Sequence, residues 1–158
     1  MECQLMRKIQ QLFLFVSLSV STSAFAQENP FKVVQDLFSA ISEVDHTKMK
    51  NTVTSDFQLL EVGEDWDIGD LIEVVNSSEF LRRNYFNVLK MKTSEDMAWV
   101  SYWNKATFTK GELLETVVWL ESAVLVKDDN DWKIQMLHST RIKTEDLPKN
   151  IVLTEHKS

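Results

Sequence analysis

Glycine and proline are scarce in this chain, three and two among 158 residues. That excludes collagen-like repeats and flexible low-complexity linkers. Cysteine is nearly absent too, with Cys3 alone, so the core must be held without a disulfide framework. Positive charge is in deficit: the formal net charge is −7 and the pI about 5.0. A balance of that sign argues against nucleic-acid backbones and anionic membrane surfaces as partners. No apolar run approaches the roughly 20 residues needed to span a bilayer. What is present, 44% hydrophobic and 26% charged side chains, fits one ordinary globular domain.

The first 26 residues read as an address rather than as fold. Arg7 and Lys8 precede an apolar stretch from Leu12 to Val20, followed by Ser21-Thr22-Ser23-Ala24-Phe25-Ala26. A charged start, a short apolar run and an Ala-x-Ala site predict a cleavable signal peptide, cut between Ala26 and Gln27, and a secreted or periplasmic protein. Cleavage removes Cys3, so thiol catalysis and thiolate metal binding are excluded in the mature chain.

Residues 27–142 then carry the domain, and 143–158 form a polar tail. Asn29-Pro30 signals a helix start. Phe31, Val34, Leu37, Phe38 and Ile41 give one apolar face over 30–44. Asp45 is placed to cap a second, shorter helix to about Asn51. Residues 57–62 read as a strand, 63–69 as an acidic loop holding Trp66, and Asp70 as the head of a short helical run. From Phe80 the period changes to two, predicting long strands over 82–91, 98–108, 113–126 and 132–142. The intervening turns are 92–96, Lys110-Gly111 and 128–131, so these strands should form an antiparallel meander. Strands this long exceed the usual five or six residues. They survive by curling, and the leading amphipathic helix is the element available to fill the hollow. The expected fold is α+β: a curved antiparallel sheet wrapped around N-terminal helices, with a cavity at the open end.

This order of elements resembles the nuclear transport factor 2-like superfamily, in particular its SnoaL-like branch of small exported bacterial domains. The resemblance covers residues 30–142. It rests on Asp96-Met97-Ala98-Trp99-Val100-Ser101-Tyr102, on Trp119-Leu120-Glu121-Ser122, and on Trp132-Lys133-Ile134 leading into Leu137-His138-Ser139-Thr140. It implies a cone-shaped fold shared by isomerases, dehydratases, cyclases, transport factors and kinase association domains, so fold alone does not set activity. No position here matches the catalytic Asp and Tyr of the ketosteroid isomerase branch.

His138 falls in register with Trp132, Ile134 and Met136, the inward face by alternation, and imidazole suits proton transfer at neutral pH. Glu121 is a carboxylate inside an apolar strand. If Lys127 pairs with Trp132, Glu121 lies opposite His138; a three-residue loop puts Leu120 there instead and turns Glu121 outward. Tyr102 and Asn104 share a face with Val100 and Ala106 and offer polar groups to the hollow. Trp66 is placed to close its mouth. Trp99, Trp103 and Trp119 are expected as an aromatic stripe on the convex face, which favours a homodimer through the sheet. Arg82, Arg83 and Arg141 read as solvated strand-end charges.

His46, His138 and His156 lack ligand spacing, so neither a metal nor another cofactor is expected. The acidic runs lack the spacing of a calcium loop. Neither a phosphate loop nor a nucleophile elbow is present. The leading expectation is an exported protein binding a small apolar or aromatic ligand through Trp66, Tyr102, Asn104, Glu121 and His138, with no membrane attachment after cleavage. The alternatives are an isomerase- or dehydratase-like enzyme using Glu121 or His138 as proton acceptor with Tyr102 as donor, and a dimeric interaction module.

Overall fold

The computed structural model describes residues 29–157; the expected signal segment lies outside them. Helix α1 (Phe31–Glu43) starts where the Asn29 side chain accepts the Phe31 amide at 3.1 Å, which satisfies one of the orphan donors of a helix start. Its inward stripe buries Val34, Leu37 and Phe38, each contributing roughly 1.5–3 kcal/mol of transfer free energy. Val44 then turns left-handed, at φ 56°, and ends the helix. Asp45 caps α2 (His46–Asn51) by accepting the Lys48 amide at 2.9 Å, as expected.

Strand β1 (Val53–Glu61) follows, then β2 (Glu64–Trp66). Residues 64–66, read from sequence as loop, are strand because Val62 and Gly63 both take positive φ, 53° and 82°. That closes a two-residue hairpin pairing Glu61 with Glu64. Asp67 caps α3 (Ile68–Val74), with Asp70 completing a reciprocal capping box, rather than Asp70 heading the helix.

Four long strands come next: β3 (Leu81–Thr93), β4 (Met97–Lys110), β5 (Leu113–Asp128) and β6 (Asp131–Ile142). They form the expected antiparallel meander. After β6 a 3₁₀ turn (Thr144–Asp146) leads to β7 (Thr154–His156), which pairs with the free edge of β3. The sheet order is β2-β1-β6-β5-β4-β3-β7. Besides gaining β2 and β7, it departs from the expected antiparallel sheet because β1 runs parallel to β6, so the sheet is mixed. The tail after β6 must pass β5 and β4 to reach β3. Asn87 Nδ2 donates to the Val152 carbonyl at 2.8 Å, which ties the tail to β3 just before β7; Trp103 on the outer face is buried.

The concave face of the sheet receives α1. At one end Phe31 packs edge-on against Phe86 and Tyr102, at centroid distances of 5.6 and 5.0 Å. Asn84 Nδ2 ties strand to helix through the Phe38 carbonyl at 3.1 Å and Ser42 Oγ at 2.7 Å. That end is closed. The other end, between α1, α3 and the β1–β6–β5 rows, stays open.

Candidate functional site

The register decides which side chains meet in the open end. Asp129 and Asn130 both take positive φ, so a two-residue turn pairs Lys127 with Trp132. By simple counting that puts Glu121 opposite His138. The pairing instead slips between Val124 and Leu125, where Val124 meets Met136 but Leu125 meets Ile134, leaving Gln135 as an extra residue. This bulge shifts the rest of β6 by one place, and a one-residue shift exchanges faces. Ser139 therefore stands opposite Glu121 and His138 opposite Ser122.

The bulge and the faces of the other strands together correct three expectations. His138 is exposed on the outer side, where it borders a separate surface groove of about 540 Å³ with Leu60, Gly63 and Arg141. It makes no dyad with Glu121. Trp119 pairs with Asn104 across β4–β5 and lines the hollow, while Trp99 and Trp103 remain on the convex face. Residues two apart in a strand share a face, so Trp119 had to follow Glu121 inward. Arg82, read as a solvated strand end, is drawn into the cavity against Phe38 and Phe108, its guanidinium carbon 5.7 and 5.4 Å from the ring centres.

What the sheet assembles is one crosswise row on its concave face. Glu64 pairs with Glu61, Glu61 with Ser139, Ser139 with Glu121, and Glu121 with Tyr102. Glu121 is 5% exposed. Its carboxylate accepts Ser139 Oγ at 3.1 Å on one oxygen and Asn104 Nδ2 at 3.1 Å on the other. Tyr102 Oη lies close enough to favour the ionised carboxyl yet makes no hydrogen bond of good geometry, and Asn104 Oδ1 is likewise buried without a partner. Burial pushes the Glu121 carboxyl up to about 7 and Glu61 adds to the rise; the donors Tyr102, Ser139 and Asn104 oppose it. Burial also lowers Arg82 to about 10, opposed by the negative charges of Glu121 and Glu61. The Tyr102 hydroxyl is raised by burial and by the same carboxylate.

Above this row opens a cavity of about 450 Å³. Leu37, Phe38, Leu71 and Val75 form its apolar walls, and Glu121, Ser139 and Arg82 its polar floor. Trp66 and Trp119 stand at its rim. Each indole N–H donates to a carboxylate, Trp66 to Glu64 at 2.7 Å and Trp119 to Glu61 at 3.2 Å. The structure thus gathers Trp66 and Glu121 around the cavity, with Tyr102 and Asn104 behind Glu121, and leaves His138 outside. Among the described residues no three His, Cys, Asp or Glu side chains stand where they could share a metal ion. Sequence reasoning missed Glu61, Glu64, Arg82, Trp119 and Ser139. For Glu61 the signal was available, since it alternates with Phe57 and Leu59 along β1.

The geometry matches a known architecture. No family model matches the chain, and no curated protein matches it. Solved structures do. A ketosteroid isomerase-like protein from Erwinia carotovora atroseptica is 20% identical with a TM-score of 0.56, over 71% of this chain and 92% of that one. A nuclear transport factor 2-like protein from Cytophaga hutchinsonii is 18% identical with a TM-score of 0.57, over 71% and 94%. The association domain of C. elegans CaMKII is 20% identical with a TM-score of 0.57, over 69% and 90%. At this identity the likeness is one of fold: the chain has the nuclear transport factor 2-like cone. Its neighbours differ too widely in role for the fold to assign one.

Proposed function

We propose that this protein is a small-molecule-binding protein whose ligand sits in the cavity above Glu121. The observation that carries the reading is the buried carboxyl at the floor of a mostly apolar, open-ended pocket. Its 450 Å³ volume suits a small organic molecule, and few polar groups converge within it, as in ligand sites generally. Export through the 1–26 signal is part of the proposal, and N-terminal sequencing of the mature protein checks it by reading Gln27 first.

The binding test is a thermal-shift screen with apolar and aromatic metabolites on the wild type and on Val74→Trp. Val74 is 59% exposed at the pocket rim, so a larger side chain there narrows the pocket without disturbing the core. Ligands should raise the melting temperature of the wild type and not of the variant. No stabilising ligand, or equal stabilisation of both proteins, contradicts the reading.

A second reading, a proton-transferring enzyme of the isomerase or dehydratase kind, is favoured by the same carboxyl. A group titrating near 7 beside a tyrosine hydroxyl is poised to accept and return a proton. Turnover of any cavity ligand, abolished by Glu121→Gln with binding retained, supports it. The homodimer belongs to the convex face, where Trp99 and Leu120 are 38% and 37% exposed. Trp99→Glu should convert dimers to monomers in sedimentation, and a wild-type monomer removes the proposal.

A further inference from the structure

Resting on the pocket reading, we infer that the ligand of this cavity is a small organic cation: an amine or quaternary ammonium on a compact hydrocarbon body. Charge is the first argument. The ionisable groups around Glu121 and its cavity are Glu61 from β1, Glu64 from β2, Arg82 from β3 and Tyr102 from β4, while β6 contributes Ser139, which does not ionise. The helices contribute only apolar side chains there, such as Leu37 and Phe38 from α1 and Leu71 and Val74 from α3. Three carboxyl groups therefore line the cavity with one guanidinium. Arg82 Nε donates to Asn84 Oδ1 at 2.9 Å, its guanidinium carbon lies over the Phe38 and Phe108 rings, and Glu61 and Glu121 act on its charge. The pocket keeps negative charge that its own residues do not neutralise.

The rim supplies the second argument. Trp66 and Trp119 are the two indoles lining the opening, and each is fixed by its N–H to a carboxylate of the same row. An indole held beside a carboxylate pairs quadrupole attraction with a point charge, which is how proteins take up alkylammonium groups. Leu37, Leu71 and Val75 then shelter the hydrocarbon part. An anionic ligand meets three carboxyl groups for one engaged arginine. A divalent metal ion lacks clustered ligands among the described residues. Neither fits as well as a monocation.

Two linked behaviours follow. A cation beside Glu121 stabilises its ionised form, so binding strengthens as pH rises from 5 to 8 and releases a proton near neutrality. It also weakens with salt.

The experiment is an ¹H–¹⁵N NMR titration of the full mature protein, reading the indole N–H signals of Trp66 and Trp119. The probes are choline, its uncharged carbon isostere 3,3-dimethylbutanol, and the anion 3,3-dimethylbutanoate. Choline should shift both indole signals and bind at least tenfold more tightly than the alcohol. It should bind severalfold more weakly at pH 5 than at pH 8, and severalfold more weakly to Glu64→Gln, whose exposed position keeps the fold intact. An alcohol or butanoate that binds as well as choline overturns the cation inference while leaving a binding pocket. Silence from all three probes overturns it as well; if the apolar thermal-shift panel is also silent, the pocket reading falls with it.

Discussion

The two ends of the hollow are built by the same strands and differ in what the rows carry. At the closed end Val100, Ala123 and Leu137 make one row and Ala98, Leu125 and Ile134 the next, with Phe31 of α1 packed against Phe86. All are buried, and the closed end is held by area and shape. At the open end the next row outward carries Glu61, Ser139 and Glu121, and the helix no longer fills the space. A polar row in a packed core costs stability unless its groups are hydrogen-bonded, and Glu121 is met by Ser139 and Asn104. The closed end supplies stability, and the open end gives part of it up to hold a carboxyl out of water.

The largest effect belongs at the closed end. Phe86 touches three aromatic rings, Phe31, Phe38 and Tyr102, so Phe86→Ala should destabilise by about 3–4 kcal/mol in urea unfolding. A cost well below this would mean the closed end is as loosely filled as the open one.

At the open end the sign reverses. Glu121 has a carboxyl value raised in the folded protein to about 7 from an ordinary 4.5. The folded state therefore binds the proton more tightly at this site, so the Glu121 contribution to stability is fully present below pH 4.5, is lost through the window between the two values and levels off above 7. Glu121→Gln should abolish that slope and stabilise the protein above pH 7 by on the order of 2–3 kcal/mol. The new amide can be met by turning Asn104 so that Oδ1, now without a partner, accepts it. Unfolding midpoints across pH 4–8 read the difference; a variant less stable than wild type at pH 8 would break the contrast between the two ends.

Smaller effects sharpen it. Val44 sits at φ 56°, a left-handed conformation that suits glycine far better than a β-branched residue. Val44→Gly should raise the melting temperature by about 2 °C, for roughly 0.5 kcal/mol. His138→Ala, on the outer face, should stay within about 0.5 kcal/mol of wild type and leave cavity binding unchanged.

Much of the fold was legible in the sequence because it depends on period and punctuation. The apolar stripe of α1, the two-residue alternation after Phe80 and the three turns suffice to specify a helix inside a curled meander. The site was less legible because it depends on parity, and parity is lost at a single unpaired residue. The Asp129-Asn130 turn is readable, but nothing in Ile134-Gln135-Met136 announces that Gln135 will bulge. That one residue moves His138 out and Ser139 in. The parallel pairing of β1 with β6 joins segments some eighty residues apart, and local pattern carries no trace of it. Glu64 thus entered the site through topology, whereas Glu61 shares its parity with Phe57 and Leu59. Trp119 and Arg82 were legible only relative to a neighbour: each shares parity with a residue that the structure turns inward, Glu121 and Phe86, so placing that residue places the other.

The most direct measurement is a ¹³C NMR titration of the Glu121 side-chain carboxyl in the mature protein, with Glu121→Gln to assign the signal. A sheltered pocket floor requires a midpoint of about 7; a midpoint near the ordinary 4.5 would place that carboxyl in water and contradict the account.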